Sequence, residues 1–100
     1  MEVAGLPAPE LQVEIRGVSG RRYFVDFWWE KYRLMGEFDG KGKYTDPEFL
    51  RGRTPEQALL EEKAREDDLR ATGRGMTRWG WVVARSPRLL RAHLDAAGLR

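Results

Sequence analysis

This 100-residue chain contains no cysteine, an absence that excludes disulfide bonds and thiolate zinc sites alike. It has a single histidine, His93, too few to build a His-rich metal centre. No run of 18 apolar residues occurs, and the opening MEVAGLPAPE lacks a basic stretch followed by an apolar core, so neither a membrane span nor a secretory signal is expected. Internal repeats, low-complexity tracts and linker-like stretches are also missing. Together these absences predict a cytoplasmic protein with no membrane partner, folded as one small domain over residues 1–100. Aromatic residues, by contrast, are plentiful: four Trp, four Phe and three Tyr can fill one modest core.

Net charge is only +2, but it is unevenly spread. Residues 1–36 balance, 37–68 carry four excess acids, and 69–100 carry six excess bases. Fourteen of the 18 basic residues are arginine, whose planar fork suits phosphate. A merely solvated surface or genome base composition produces the same bias, so charge alone leaves nucleic-acid binding open.

The stretch Tyr23 to Tyr44, YFVDFWWEKYRLMGEFDGKGKY, reads as a β-hairpin that gathers three acids. Its first arm, Arg22 to Trp29, is aromatic and β-branched; its second, Leu34 to Lys43, carries Glu37 and Asp39 two residues apart, on one strand face. With a turn at Glu30 to Arg33, Trp29 pairs with Leu34 and Asp26 falls directly opposite Glu37. Strict alternation then puts Phe24, Asp26, Trp28, Met35, Glu37, Asp39 and Lys41 on one face, and Val25, Phe27, Trp29, Leu34, Gly36, Phe38 and Gly40 on an apolar face that seals a core. Two carboxylates about 5 Å apart repel by roughly 3 kcal/mol at an effective dielectric of about 20. A proton on one acid, a neighbouring lysine or a divalent cation relieves that repulsion, as do solvation and pairing with arginines. Spacing alone does not choose among these.

Ahead of the hairpin, Leu11 to Arg16 alternates cleanly and predicts a first strand, joined to the second by a turn at Gly17 to Gly20. Beyond it, Gly40, Gly42 and Thr45-Asp46-Pro47 end the third strand, and Thr45 to Arg53 reads as a loop. Lys41 and Lys43 leave on the acids' face, either as solvated edge lysines or as contacts to a phosphate or to the acids themselves. Thr54-Pro55-Glu56-Gln57 spells a capped helix start, and this helix should run to about Thr72 before Gly73 stops it. Its apolar stripe, Leu59, Leu60, Ala64, Leu69 and Ala71, is thin. Pairs such as Glu61 with Arg65 and Glu66 with Arg70 suit a solvated surface helix, the alternative being that Glu62, Lys63 and Glu66 face the strands. Gly75 to Trp81 fits a fourth strand carrying Arg78, with Trp79 and Trp81 as core, groove wall or base-stacking platforms. Ser86-Pro87 caps a last helix whose apolar face is Leu89, Leu90, His93, Leu94 and Ala97, ended by Gly98.

Five segments carry a family resemblance: Val25-Asp26-Phe27; Gly36-Glu37-Phe38-Asp39-Gly40 with Lys43-Tyr44; Glu62-Lys63; Arg65-Glu66-Asp67 ahead of Leu69-Arg70 and Gly73; and Arg78-Trp79. In this order the chain resembles the PD-(D/E)XK nuclease superfamily over roughly Leu6 to Leu94. More narrowly, it is similar to the very-short-patch-repair-endonuclease-like group, including actinobacterial proteins that join such a domain to an AbiEi-type antitoxin winged helix. The resemblance implies an α/β fold (an α+β mixed sheet) with a restriction-endonuclease-like βββαβα core that lacks the usual first helix. It also implies hydrolysis of DNA phosphodiester bonds assisted by Mg²⁺, or by Mn²⁺. Asp26, Glu37 and Asp39 would then be metal ligands and, with Lys43, the catalytic set, while Lys41, Lys63, Arg65 and Arg78 would meet the substrate.

Two departures from the family pattern bear on that expectation. The superfamily places a lysine two positions after the second acid; here Asp39 stands in that place, as a further ligand or as the base that positions water, and Lys43 follows as the phosphate contact. Few residues precede the GLPAPE segment, so the chain reads as truncated or as the remnant of a longer protein, with apolar surface to hide in a homodimer or against an antitoxin-type domain. The alternative function is a catalytically inactive nuclease-fold module that binds nucleic acid or a protein partner in a toxin-antitoxin system.

Overall fold

The computed structural model describes residues 6–39 and 47–99. Strands β1 (Glu10–Arg16), β2 (Arg22–Trp29) and β3 (Leu34–Phe38) form an antiparallel meander, and β4 (Gly75–Trp79) joins parallel to β3, giving the order β1-β2-β3-β4. Helices α1 (Pro47–Leu50) and α2 (Pro55–Arg70) lie between β3 and β4 in the chain; α3 (Trp81–Ala84) and α4 (Pro87–Ala96) follow. The fold is a mixed α+β arrangement around a four-stranded mixed sheet. Among the described residues, no helix is long and apolar enough to cross a membrane.

The hairpin has the register that its turn chemistry predicts near the turn, but the ladder ends before the expected Asp26–Glu37 pair, which does not form. Trp29 lies opposite Leu34, Trp28 opposite Met35 and Phe27 opposite Gly36. A single 3-10 turn at Glu30–Tyr32 connects them, closed by Arg33 at φ 47, whose N–H donates to the Glu30 carbonyl at 3.1 Å.

Strict alternation fails at one rung. The β1–β2 ladder runs from Glu10 opposite Trp28 to Arg16 opposite Arg22, but the pair Gln12 and Asp26 is missing from it, and Gln12 sits at φ 52. A left-handed residue in mid-strand breaks the pleat, and the faces exchange there. Val13, Ile15, Tyr23 and Val25 therefore pack with Trp28, Met35, Leu69 and Met76, while Phe27 packs with Trp29, Leu34, Trp79, Leu90 and Leu94. The expectation that Val25 shares a face with Phe27 is corrected by this break. The expected acidic face is, at Trp28 and Met35, a second apolar core. Helix α2 covers that core through Leu69, and α4 covers the other face through Leu90 and Leu94.

Helix ends follow from capping residues. Thr54 Oγ1 accepts the Gln57 N–H at 3.1 Å and Gln57 Oε1 accepts the Thr54 N–H at 2.9 Å, closing a capping box around Pro55. The helix ends at Arg70 rather than near Thr72, and Gly73, at φ 92, turns the chain. Ser86 Oγ accepts the Leu89 N–H at 3.2 Å to begin α4. Its end is a Schellman motif: Leu99 N–H reaches the Leu94 carbonyl and Gly98 N–H the Asp95 carbonyl, both at 3.0 Å, and Leu99 buries itself against Leu94.

Three further boundaries differ from expectation. The third strand ends at Phe38, and its expected continuation to Lys43 lies mostly outside the described residues. The fourth strand stops at Trp79 because Gly80 caps α3, accepting the Ala84 N–H at 3.0 Å, which takes Trp81 out of the sheet. Part of the expected loop folds as α1, where Pro47 occupies a first turn that needs no N–H.

Asp68 fastens α2 to the β1–β2 turn. It accepts from Ser19 N–H (2.8 Å), Ser19 Oγ (2.6 Å) and Tyr23 Oη (2.8 Å). Gly17 lies so close that a Cβ there would stand 2.3 Å from Asp68 Oδ2.

Packing at two positions makes a quantitative expectation. Leu69→Ala empties a fully buried site and should cost about 2–5 kcal/mol. Gly36→Ala would bring a Cβ to 2.8 Å from Trp29 Cζ3 and should cost about 1–3 kcal/mol. Urea unfolding measures both, and Leu59→Ser, at a residue 57% exposed, should change stability by about 0.5 kcal/mol or less.

Candidate active site at the β2–β3 fork

Beyond the Phe27–Gly36 rung, β2 and β3 part, and side chains take over the bonding of the backbone. Asp26 Oδ2 accepts the Phe38 N–H at 3.0 Å, and Gln12 Nε2 lies 3.4 Å from Asp26 Oδ1, so this carboxylate spans the gap between β1 and β3. Arg65, reaching in from α2, donates to the Phe24 carbonyl at 2.7 Å. The same guanidinium holds Glu37 in a two-pronged pair, Nη1 to Oε1 at 2.5 Å and Nη2 to Oε2 at 2.9 Å.

Arg78 comes from the neighbouring parallel strand, where it is the register partner of Glu37. It lies within ion-pair distance of four carboxylates: Glu66 at 3.0 Å, Asp39 at 3.3 Å, Glu37 at 3.5 Å and Glu62 at 3.8 Å. Its contact to Glu66 is Coulombic rather than hydrogen-bonded, since Nε has no hydrogen-bond partner among the described residues. Glu66 also accepts from Arg70 Nε at 2.7 Å. These contacts link Glu37, Asp39, Glu62 and Glu66 to Arg65, Arg70 and Arg78 in one network.

The network is partly dry, with Glu37 and Arg65 side chains 10% and 17% exposed. Withdrawing two ions from water costs several kcal/mol each, which only good geometry and further hydrogen bonds offset. Burial works to lower the Arg65 pKa, but the Glu37 hydrogen bond and the charges of Glu37, Glu62 and Asp26 hold it above its ordinary value. Arg78 is likewise raised: burial opposes its charge, and Asp39, Glu37 and Glu66 outweigh burial. Burial also pushes Glu66 up, while the Arg70 hydrogen bond and the charges of Arg78, Arg70 and Lys63 bring it below the usual carboxylate value. A cleft of about 180 Å³ lined by Leu59, Glu62, Lys63, Glu66 and Arg78 opens onto the network, and one of about 360 Å³, with Arg21, Tyr23, Arg53 and Arg65 in its walls, flanks it.

The fold thus gathers Asp26, Glu37, Asp39, Arg65 and Arg78 from the residues singled out in the sequence. Lys63 points outward, 74% exposed, with Asp67 at 3.7 Å. Lys41 and Lys43 lie outside the described residues. The expected Glu61–Arg65 pair is replaced, because Arg65 turns inward and Glu61 pairs with Arg53; the Glu66–Arg70 pair forms as expected. Sequence reasoning left the rotation of α2 undecided and put Leu59 and Leu60 in its buried stripe, whereas both are exposed. Its inward face is Ala58, Glu62, Arg65, Glu66 and Leu69, a helical spacing that becomes legible once Leu69, rather than the Leu59-Leu60 pair, is taken as the anchor. Among the described residues, no group of three or more His, Cys, Asp or Glu side chains converges as a metal cluster.

No family model matches the chain, and no solved structure matches it. Two uncharacterized proteins of Mycobacterium tuberculosis, one in strain CDC 1551 / Oshkosh and one in strain ATCC 25618 / H37Rv, are each 43% identical to it over 51 residues. That stretch is 50% of this chain and 19% of either relative, so the match spans about a fifth of their length.

The network sets two expectations. Arg65→Met strips the buried Glu37 of its two-pronged partner, leaving the 3.5 Å contact to Arg78, and should cost about 3 kcal/mol, whereas adding Glu37→Leu should restore much of that loss, as urea unfolding of the single and double variants would show. Glu66 and Asp68 both have folded pKa values depressed below their ordinary ones, Asp68 through hydrogen bonds from Ser19 that outweigh burial. Their stabilisation is complete above the unfolded carboxylate values and is lost as pH falls through the folded ones. Thermal melts should therefore drop as pH is lowered below about 4.5, and Glu66→Gln should flatten the drop.

Proposed function

We propose that the chain is a restriction-endonuclease-like domain of the PD-(D/E)XK type that hydrolyses DNA phosphodiester bonds with Mg²⁺ or Mn²⁺, in the cytoplasm. One observation carries the reading. Asp26, Glu37, Asp39, Glu62 and Glu66 surround Arg65 and Arg78 at the fork of the sheet and, among the described residues, outnumber Arg65, Arg70 and Arg78 there, although no three of them converge as a ready-made metal cluster. The order of elements, with the acids on the second and third strands and an arginine on the fourth, supports it further.

A half-buried excess of negative charge favours a hard divalent cation, which needs few carboxylates and keeps several waters. Asp26 suits this role, since its Oδ1 has only the long contact to Gln12 among the described residues. Glu37 suits it on release from Arg65. Bound there, the metal would polarise the phosphate and lower the pKa of an attacking water. Arg65 and Arg78, which neutralise the acids in this structure, have the forked geometry that pairs with phosphate oxygens, and substrate and metal together would take over their partners. Asp39 would position water, with Lys63 at the rim and Lys41 and Lys43 as expected phosphate contacts.

A second reading is favoured by the two-pronged pair itself. Both Glu37 oxygens are held by Arg65, as in a domain that keeps the fold while binding nucleic acid, a second copy of the chain or an antitoxin-type partner. Calorimetric titration with Mg²⁺ and Mn²⁺, followed by plasmid nicking at saturating metal, separates the two. The nuclease reading expects metal binding and nicking by the wild type and the loss of both in Asp26→Ala with the fold intact. A well-folded wild type that binds no metal and nicks no plasmid would leave the binding module.

A further inference from the structure

Trp81 is 46% exposed although the chain has a core in which a tryptophan could be buried. Its ring is held in place: Phe38 meets it edge-on with centroids 4.9 Å apart and planes at 81°, and the Arg85 guanidinium carbon lies 5.8 Å from its centroid. Val82 beside it is 69% exposed. This apolar surface adjoins the acidic fork. Phe38 is the register partner of Trp79, Asp39 N–H donates to the Trp79 carbonyl at 2.9 Å, and Gly80 lies so near that a Cβ there would be 3.1 Å from Asp39 O.

We propose that Trp81 is a stacking platform for an unpaired nucleobase, with Arg85 and Arg88 meeting the adjoining phosphates. This rests on the nucleic-acid reading above and deepens it by naming the strand form. A fixed indole offers a flat apolar face that accepts any base, and stacking of this kind is sequence-tolerant. Bases within a duplex have their faces covered by neighbours, so a single strand or an extruded base can use the platform without the cost of unstacking. Charge complementarity selects nucleic acid as occupant. Arg85 is exposed beside the ring, and Arg88 and Arg91 are exposed on the helix that follows it, whereas an apolar protein partner needs no such flank.

Fluorescence anisotropy tests this with labelled oligothymidylate of about 12 nucleotides and a duplex of equal length, in EDTA so that cleavage plays no part. The wild type should prefer the single strand, which should quench its tryptophan fluorescence. Trp81→Leu, which keeps an apolar contact for Phe38, should lose about tenfold in single-strand affinity with little change for duplex, and Trp81→Phe should retain most of it. Arg88→Gln should weaken both forms and reduce the salt dependence. Wild-type affinity in a folded Trp81→Leu variant, or no single-strand binding by the folded wild type, overturns the proposal, and the second result would assign the patch to a protein partner. Nicking by Asp26→Ala, scored separately, reports on the nuclease reading independently of these outcomes.

Discussion

The pair between Arg65 and Glu37 is the contact on which this structure turns. The β2–β3 ladder stops after Phe27 and Gly36, leaving main-chain groups that need partners in a partly buried place. Arg65 supplies one by donating to the Phe24 carbonyl, and Asp26 supplies another by accepting the Phe38 N–H. By gripping Glu37 at the same time, Arg65 fixes the rotation of α2 over the sheet. That rotation turns Leu69 into the core and Glu62 and Glu66 toward Arg78. The side chains proposed for chemistry are therefore also those that close the fork.

This double duty accounts for the charge pattern. A set of acids this close would be unstable without cations, and the arginines stabilise it at the expense of occupying it. Among the described residues the carboxylates of the network still outnumber its guanidinium groups, and the proposed divalent ion is one way to relieve that balance. Exposed Arg85, Arg88 and Arg91, after α3 and on α4, add the basic flank on which the stacking proposal draws.

Local chemistry was legible in the sequence, and what depended on tertiary context was not. The hairpin register followed from the four-residue turn at Glu30 to Arg33, and the helix starts followed from Thr54 with Gln57 and from Ser86 with Pro87, because those signals act within a few residues. The exchange of sheet faces was not legible, since nothing in LQVEIR marks Gln12 for a left-handed conformation. The facing of α2 was hidden for a different reason. Its buried side is mostly charged, so hydrophobic periodicity carried no signal, and the leucines that looked like a stripe, Leu59 and Leu60, point to solvent. Asp26 and Glu37 could be singled out because they lie on the strands themselves, with Asp39 just past the end of β3; Glu62 and Glu66 joined the network only once the helix was placed.

Whether metal displaces arginine at the fork decides the proposed nuclease function. Anomalous diffraction from crystals soaked in Mn²⁺ addresses this directly. A metal-dependent nuclease should show a peak beside the carboxylates of Asp26 and Glu37, with Arg65 turned away from Glu37. A clean map with no peak there, and Arg65 still gripping both oxygens of Glu37, would contradict it.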